Sequence, residues 1–193
     1  MILQVNVRSA SNRGQVDTGT CYQRLGEQEL ADLEDAVDHV CAQFGGDPQR
    51  VAISGWSYGG FMSGYALTHS KKFALGLAGA GVYDWRLYDT IYTERYMRTP
   101  QENQAGYDAT SVIKAAKNLH GHLVLLHGTM DDNVHLQNTM QLVWELQKAG
   151  KQDFELMVYP RSRHGLAREV SKHSQEYQWL RLQKLLEPVK KAG

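Results

Sequence analysis

The chain has 193 residues, 42% of them hydrophobic and 22% charged, which suits one soluble domain with a sizeable core. Lys plus Arg and Asp plus Glu number 21 each, for a formal net charge of zero, whereas a nucleic-acid partner asks for a basic excess. No apolar run approaches the ~20 residues of a membrane span. Residues 1–14, MILQVNVRSASNRG, make no signal peptide, because the apolar stretch is short and Arg8 follows it.

Residues 2–7, ILQVNV, alternate apolar and polar and predict a first strand. A loop rich in Ser, Asn and Gly follows at 8–14. Residues 27–44 carry Leu30, Leu33, Val37, Val40 and Phe44 at three- and four-residue spacing, an amphipathic helix stopped by Gly45 and Gly46. Strands are predicted at 50–54 (RVAIS), 74–82 (ALGLAGAGV), 122–128 (HLVLLHG) and 154–160 (FELMVYP). The third of these is continuously apolar, as a strand buried on both faces should be. Helices are predicted at 61–69, 137–150 and 171–187, the last with Tyr177, Leu180 and Leu185 inward. Residues 84–110 read as irregular and rich in Tyr. Strands alternating with helices predict an α/β fold with a mainly parallel sheet. Cys21 and Cys41 form no CxxC pair or zinc set and read as free thiols, and the compartment is not encoded.

Gly55-Trp56-Ser57-Tyr58-Gly59 is a G-x-S-x-G sequence between a predicted strand and a predicted helix, the context of a nucleophile elbow. Small residues two before and two after Ser57 let a tight turn pass without collision. The following helix aims its positive end at the site, and the Tyr58 N–H is placed to hold an oxyanion. An ordinary glycine-rich turn is the plainer reading of that stretch alone. A serine nucleophile needs a base, and the base an orienting acid, in chain order Ser, Asp or Glu, His for an α/β-hydrolase. Asp131 and Asp132 follow one predicted strand and His164 the next, on the sheet edge that carries Ser57. Spacing does not separate the two aspartates, and either can cap the helix that follows. His39, His69 and His173 fall in predicted helices, and His120 and His122 precede a strand. His127 ends a strand and reads as bound to backbone, leaving His135 the one rival base. A metal set of His127, Asp131 and His135 is a further alternative, although its spacing matches no zinc motif.

GWSYGG (55–60), HGTMDDNVHLQN (127–138) and YPRSRHG (159–165) resemble the prolyl oligopeptidase family of serine peptidases. LYDTIYTERYM (87–97) is similar to its dipeptidyl peptidase IV branch. The likeness runs from residue 6 to the last helix. It implies Ser57 as nucleophile, His164 as base and Asp131 as the acid, with Asn133 binding the substrate backbone. It also implies that Trp56, Tyr58, Val82, Trp85, Tyr88 and Tyr92 line an apolar P1 pocket, usually for proline. From the residues alone the tyrosines read as packing, since Tyr88 and Tyr92 stand at i, i+4.

The resemblance further implies an α/β-hydrolase fold, a peptide substrate, no cofactor and no metal, and a homodimer formed through the hydrolase domain. Three departures shape the expectation. The family's β-propeller has no counterpart here, nor do the acidic residues that bind the substrate's amino terminus. Absent too is the strand ending in a YGGP-like segment, whose tyrosine is the second oxyanion donor. Without that strand, either residues 2–7 shift to pair with RVAIS or strand edges stay open and invite association. Residues 1–193 thus read as a partial hydrolase domain, the C-terminal portion of a longer peptidase. The expected function is peptide hydrolysis after Pro or Ala near a peptide N-terminus. An acylaminoacyl peptidase or carboxylesterase is one alternative, and a catalytically inactive fragment another.

Overall fold

The computed structural model describes residues 1–10 and 13–186. Its helices are α1 (Gln15–Thr18), α2 (Glu27–Phe44), α3 (Tyr58–His69), α4 (Thr90–Met97), α5 (Gln104–Ala109), α6 (Gln137–Lys148) and α7 (Arg168–Leu186). Its strands are β1 (Ala52–Trp56), β2 (Leu75–Gly79), β3 (His122–Gly128) and β4 (Phe154–Tyr159). All strand pairs are parallel and the order is β1-β2-β3-β4. Each connection between neighbours is a helical crossover, as parallel pairing requires.

Strand β3 shows why the sheet holds. Successive side chains point to opposite faces. Leu123 and Leu125 pack with Phe61, Leu67, Ala78, Leu142 and Leu146. Val124 and Leu126 pack with Leu75, Leu77 and Tyr159 on the other face, under Tyr177, Leu182 and Leu185 of α7. All four leucine and valine side chains of this run are essentially out of water, and burying each contributes about 1.5–3 kcal/mol. The register pairs Trp56 with Gly79, Gly79 with Leu126, and Gly128 with Tyr159. The C-terminal ends of all four strands therefore lie along one edge, where ligands of open α/β sheets bind.

Four expectations change. Residues 2–7 form no strand, and Ile2 is 94% exposed. The segment lies beside α2, where Arg8 binds Asp32 with its main-chain N–H (2.7 Å) and Nε (2.8 Å), and the Ser9 hydroxyl donates to Glu29 (3.0 Å). These contacts hold the segment to α2 rather than to a strand, and alternation alone cannot make it β. Strand β1 has only β2 as a strand partner among the described residues, so its outer edge stays open. Residues 84–110 contain α4 and α5, nucleated by Asp89 and Asn103, whose side chains accept from the Tyr92 and Gly106 N–H groups; short capped helices leave no periodic stripe to read. In α7, Tyr177 and Leu185 pack inward but Leu180 is 58% exposed, and the expected last residue, 187, lies outside the described residues. In α2, Leu30, Leu33 and Val37 meet the core, whereas Phe44 in the last turn is exposed. Cys21 and Cys41 are free, Cys21 buried.

Candidate active site

Strand β1 ends at Trp56 and α3 starts at Tyr58, so the reversal is concentrated in Ser57, at φ 59° and ψ −115°. That conformation is unfavourable for a residue with a side chain. It is held by the Ser57 N–H donating to the Gly79 carbonyl (2.8 Å) and the Ser57 carbonyl accepting from Phe61 (2.9 Å). A Cβ on Gly55 would lie 2.5 Å from the backbone of Gly59, so the crossing of strand and helix needs glycine there. The second close approach falls one residue later than expected. A Cβ on Gly59 would meet nothing, but one on Gly60 would lie 2.1 Å from the Gly79 carbonyl. The helix begins three residues earlier than expected, and the Tyr58 N–H is among its first, unpaired amides.

The loops after β3 and β4 bring Asp131 and His164 to Ser57. His164 Nε2 lies 2.9 Å from Ser57 Oγ, and His164 Nδ1 lies 2.9 Å from Asp131 Oδ2. Because Nδ1 faces a carboxylate, it carries the proton, and Nε2 accepts from the serine hydroxyl. The other Asp131 oxygen accepts from the Asn133 and Val134 N–H groups, each at 3.0 Å. Asp131 therefore orders its own turn and faces the imidazole with one side chain. Asp132 is different: it is exposed and ion-paired with exposed Arg163. That contrast separates two residues that spacing left equal.

The aromatic residues gather beside the elbow. Trp85, 1% exposed, lies 5.7 Å from Tyr58, 6.3 Å from Tyr88 and 6.0 Å from Tyr92, ring centre to ring centre. Buried Val82 joins the same apolar cluster. The Tyr88 hydroxyl donates to Asn133 Oδ1 (2.8 Å), linking the aromatic group to the acid loop. Burial raises the Tyr92 hydroxyl to about 12 and raises that of Tyr58 well above its ordinary value, the latter reinforced by Glu29. Trp56 stands apart. It ends β1, packs with the cluster under α7, and its indole N–H donates to the His164 carbonyl (2.8 Å). Its place is behind the base loop, because alternation along β1 turns it to the opposite face from the aromatic group. Tyr88 precedes α4, so it and Tyr92 do not share a helix.

The rival arrangements do not assemble. His135 is exposed. His127 is fully buried, with Nδ1 2.7 Å from Thr139 Oγ1 and Nε2 2.8 Å from the Val134 carbonyl. No group of three His, Cys, Asp or Glu among the described residues is arranged to hold a metal ion. No helix among them is long and apolar enough to cross a membrane.

Residues 1–185 match the model of the prolyl oligopeptidase family. The chain belongs to the prolyl oligopeptidase family. It is 40% identical over 170 residues to a probable dipeptidyl-aminopeptidase B of Metarhizium robertsii, covering 86% of this chain and 19% of that protein. It is 43% identical over 168 residues to a probable dipeptidyl peptidase 4 of Aspergillus fumigatus, covering 82% and 22%. The crystal structure of Porphyromonas gingivalis dipeptidyl peptidase 4 superposes with a TM-score of 0.87 at 34% identity, over 95% of this chain and 26% of that one. The sheet and its helices thus have the α/β-hydrolase architecture of these relatives, and the chain spans about a fifth of the length of the curated relatives it matches.

Two further polar residues of this prolyl oligopeptidase family chain lie beside the site: Glu29, to which the sequence pattern gave no part, and His127, which it placed only in the alternative metal set. Glu29, 3% exposed in the first turn of α2, accepts from the Tyr58 hydroxyl at 2.8 Å. His127 was expected to bond backbone and does, but its Nε2 also lies 3.2 Å from Asp131 Oδ2. Both Nε2 neighbours are acceptors, so Nε2 carries a proton; burial lowers the His127 pKa, against the pull of Val134 and Asp131. A charged residue at a helix start reads as a cap, and a histidine at a strand end as packing. Only the fold shows what each faces.

Proposed function

We propose that this chain carries the catalytic machinery of a serine peptidase that releases short fragments from peptide N-termini after Pro or Ala. The observation that carries the reading is the run of two 2.9 Å hydrogen bonds, Ser57 to His164 to Asp131, converging from three loops on a serine held in strained backbone. Ser57 Oγ attacks the scissile carbonyl carbon while its proton passes to His164 Nε2. The oxyanion that forms is held by the Tyr58 N–H. Collapse breaks the C–N bond, and the leaving amine takes the proton from His164. Water, activated by the same imidazole, then hydrolyses the acyl-enzyme. Asp131 fixes the Nδ1–H tautomer and stabilises the imidazolium. No step asks for a cofactor.

The aromatic group formed by Tyr58, Trp85, Tyr88 and Tyr92, with Val82, supports a P1 preference for proline. A proline ring is flat, apolar and without an N–H, so ring faces hold it without leaving a donor unpaired. Asn133, tied to Tyr88 at the rim of the group, is suited to bind the substrate backbone. Residues 1–193 then act as part of a peptidase domain, with self-association as a homodimer favoured by the open edge of β1.

The test is labelling of the 193-residue chain by a fluorophosphonate, read by intact mass. The expected result is one adduct, absent in Ser57→Ala and His164→Ala, and then cleavage of X-Pro anilides. Turnover of simple esters without X-Pro cleavage would move the assignment to an acylaminoacyl peptidase or carboxylesterase. A folded chain that takes no label would overturn the reading.

A further inference from the structure

We infer that Glu29 is a positioning residue for the active site: its buried carboxylate holds the Tyr58 hydroxyl and so fixes both the ring that walls the aromatic group and the amide next to Ser57. The inference rests on the catalytic reading above. Glu29 is 3% exposed, and three donors from three places meet it. Oε1 accepts from the Tyr58 hydroxyl (2.8 Å) and from the Ser9 hydroxyl (3.0 Å), and Oε2 from the Gly26 N–H (3.0 Å).

A helix cap explains only part of this. Position N3 of α2 is where a Glu reaches back to the N-cap amide, which accounts for Oε2 and Gly26. Gly26 is itself buried, so the cap asks for one Glu29 oxygen out of water, but for only one. Placing an ionised carboxylate out of water is costly unless it is fully hydrogen-bonded. Here the other oxygen is turned inward onto the residue that follows the nucleophile.

Tyr58 needs such a partner. Its ring packs edge-on to Phe61 (5.4 Å) and against Trp85 (5.7 Å), inside an apolar cluster. A phenol hydroxyl in such surroundings must find an acceptor or lose hydration uncompensated. Bonding to a carboxylate is the stronger, shorter kind. It fixes both side-chain torsions, and with them the first residue of α3. A ring free to rotate would loosen the wall facing P1. It would also release the turn that aims the Tyr58 amide. The Glu29 carboxylate reaches the chemistry only through Tyr58, so it positions and does not itself react.

The experiment uses the full 193-residue chain and two near-isosteric variants, Glu29→Gln and Tyr58→Phe, with their double mutant. The acylation rate by a fluorophosphonate and kcat/KM for X-Pro and X-Ala anilides are measured per folded molecule, beside the melting temperature. Expected are losses of about tenfold in X-Pro kcat/KM for each single variant, smaller losses for X-Ala, and a double mutant no worse than Tyr58→Phe. Unchanged rates in Glu29→Gln, with only a lower melting temperature, would reduce Glu29 to a helix cap and overturn the inference while the catalytic reading stands. Additive losses in the double mutant would also overturn it, since Glu29 would then act by a route other than Tyr58. A folded parent chain that takes no label overturns the catalytic reading itself, and the positioning role with it.

Discussion

The N-terminal segment and the C-terminal edge of the sheet start from similar local material and end differently. Residues 2–7 and residues 50–54 are both short apolar-leaning runs followed by Ser- and Gly-rich stretches. The first pairs with no strand, with Val5 and Val7 half-buried and the rest exposed, and is held by Arg8 to Asp32 and Ser9 to Glu29. The second leads into β1, paired along its length with β2 and partly buried, with Ile53 against one apolar cluster and Ala52 and Trp56 against the other. Local pattern supplies a preference of tenths to about 1 kcal/mol per residue. Pairing and burial supply the rest, and only the second run obtains strand pairing, since α2 holds the first. The turn after it can then carry strained backbone, because surrounding contacts hold Ser57 where isolated chain would relax.

This contrast can be broken most forcefully at the acid. Asp131→Asn should cut Ser57 acylation by about 10⁴-fold by presenting the wrong imidazole tautomer, with the fold intact by circular dichroism. Asp132→Asn, at an exposed ion pair, should stay within a few-fold of the parent. Equal losses at the two positions would reverse the assignment of the acid.

Next in size is the crossing at the elbow. Gly60→Ala would force a Cβ to 2.1 Å from the Gly79 carbonyl. It should destabilise the fold by about 1–3 kcal/mol or more, read by urea unfolding. Gly59→Ala, with open space around the added methyl, should cost far less.

A third effect depends on pH and lies away from the site. Burial alone would raise the Glu155 pKa, but hydrogen bonds from Tyr177, Arg181 and His122 outweigh it and lower it from 4.5 to about 2. The folded form thus holds its proton more weakly than the unfolded chain. The stabilisation is present above pH 4.5 and is lost as pH falls towards about 2. Thermal melts should show Glu155→Gln to be less stable than the parent at neutral pH, with the difference closing across that window. His127 adds a milder slope of the same sign. Its pKa is lowered from 6.5 by burial, so the unfolded chain takes up the proton first as pH falls below that value.

The smallest effect is expected at the exposed segment. Ile2→Ser and Leu3→Ser should leave the melting temperature unchanged within error, since both side chains already face water. A clear loss there would mean that residues 2–7 find a strand partner in solution.

Much of this could be read from the chain itself. The alternation of strands and helices, the α2 stripe through Leu30, Leu33 and Val37, and the two-faced burial of β3 follow from side-chain periodicity. The order of Ser57, an aspartate at 131 or 132, and His164, each on a loop after a strand, follows from motif and chain order. Spacing left Asp131 and Asp132 equal and only the family motif pointed to Asp131; the turn at 131–134 gives the physical reason, sending Asp131 inward to His164 and Asp132 out to Arg163. Other features have no linear trace. Trp56 adjoins Ser57 in sequence, yet strand alternation turns its ring to the far face, behind the base loop. Glu29 and Tyr58 are separated by 29 positions, and no pattern connects them until α2 packs beside the elbow.

By itself, then, the sequence determined the class of fold, the strained turn at Ser57 and the family to which the chain belongs. Each is written in local hydrophobic period, in glycine placement or in contiguous motif. Tertiary structure alone decided that residues 2–7 are not a strand, where Trp56 stands and what the Glu29 carboxylate holds, and it supplied the contact that sets Asp131, the aspartate the family motif implies, against the imidazole. Those outcomes depend on hydrogen-bond partners and buried contacts between residues far apart in the chain, and such contacts exist only once the sheet has brought its strand ends to one edge.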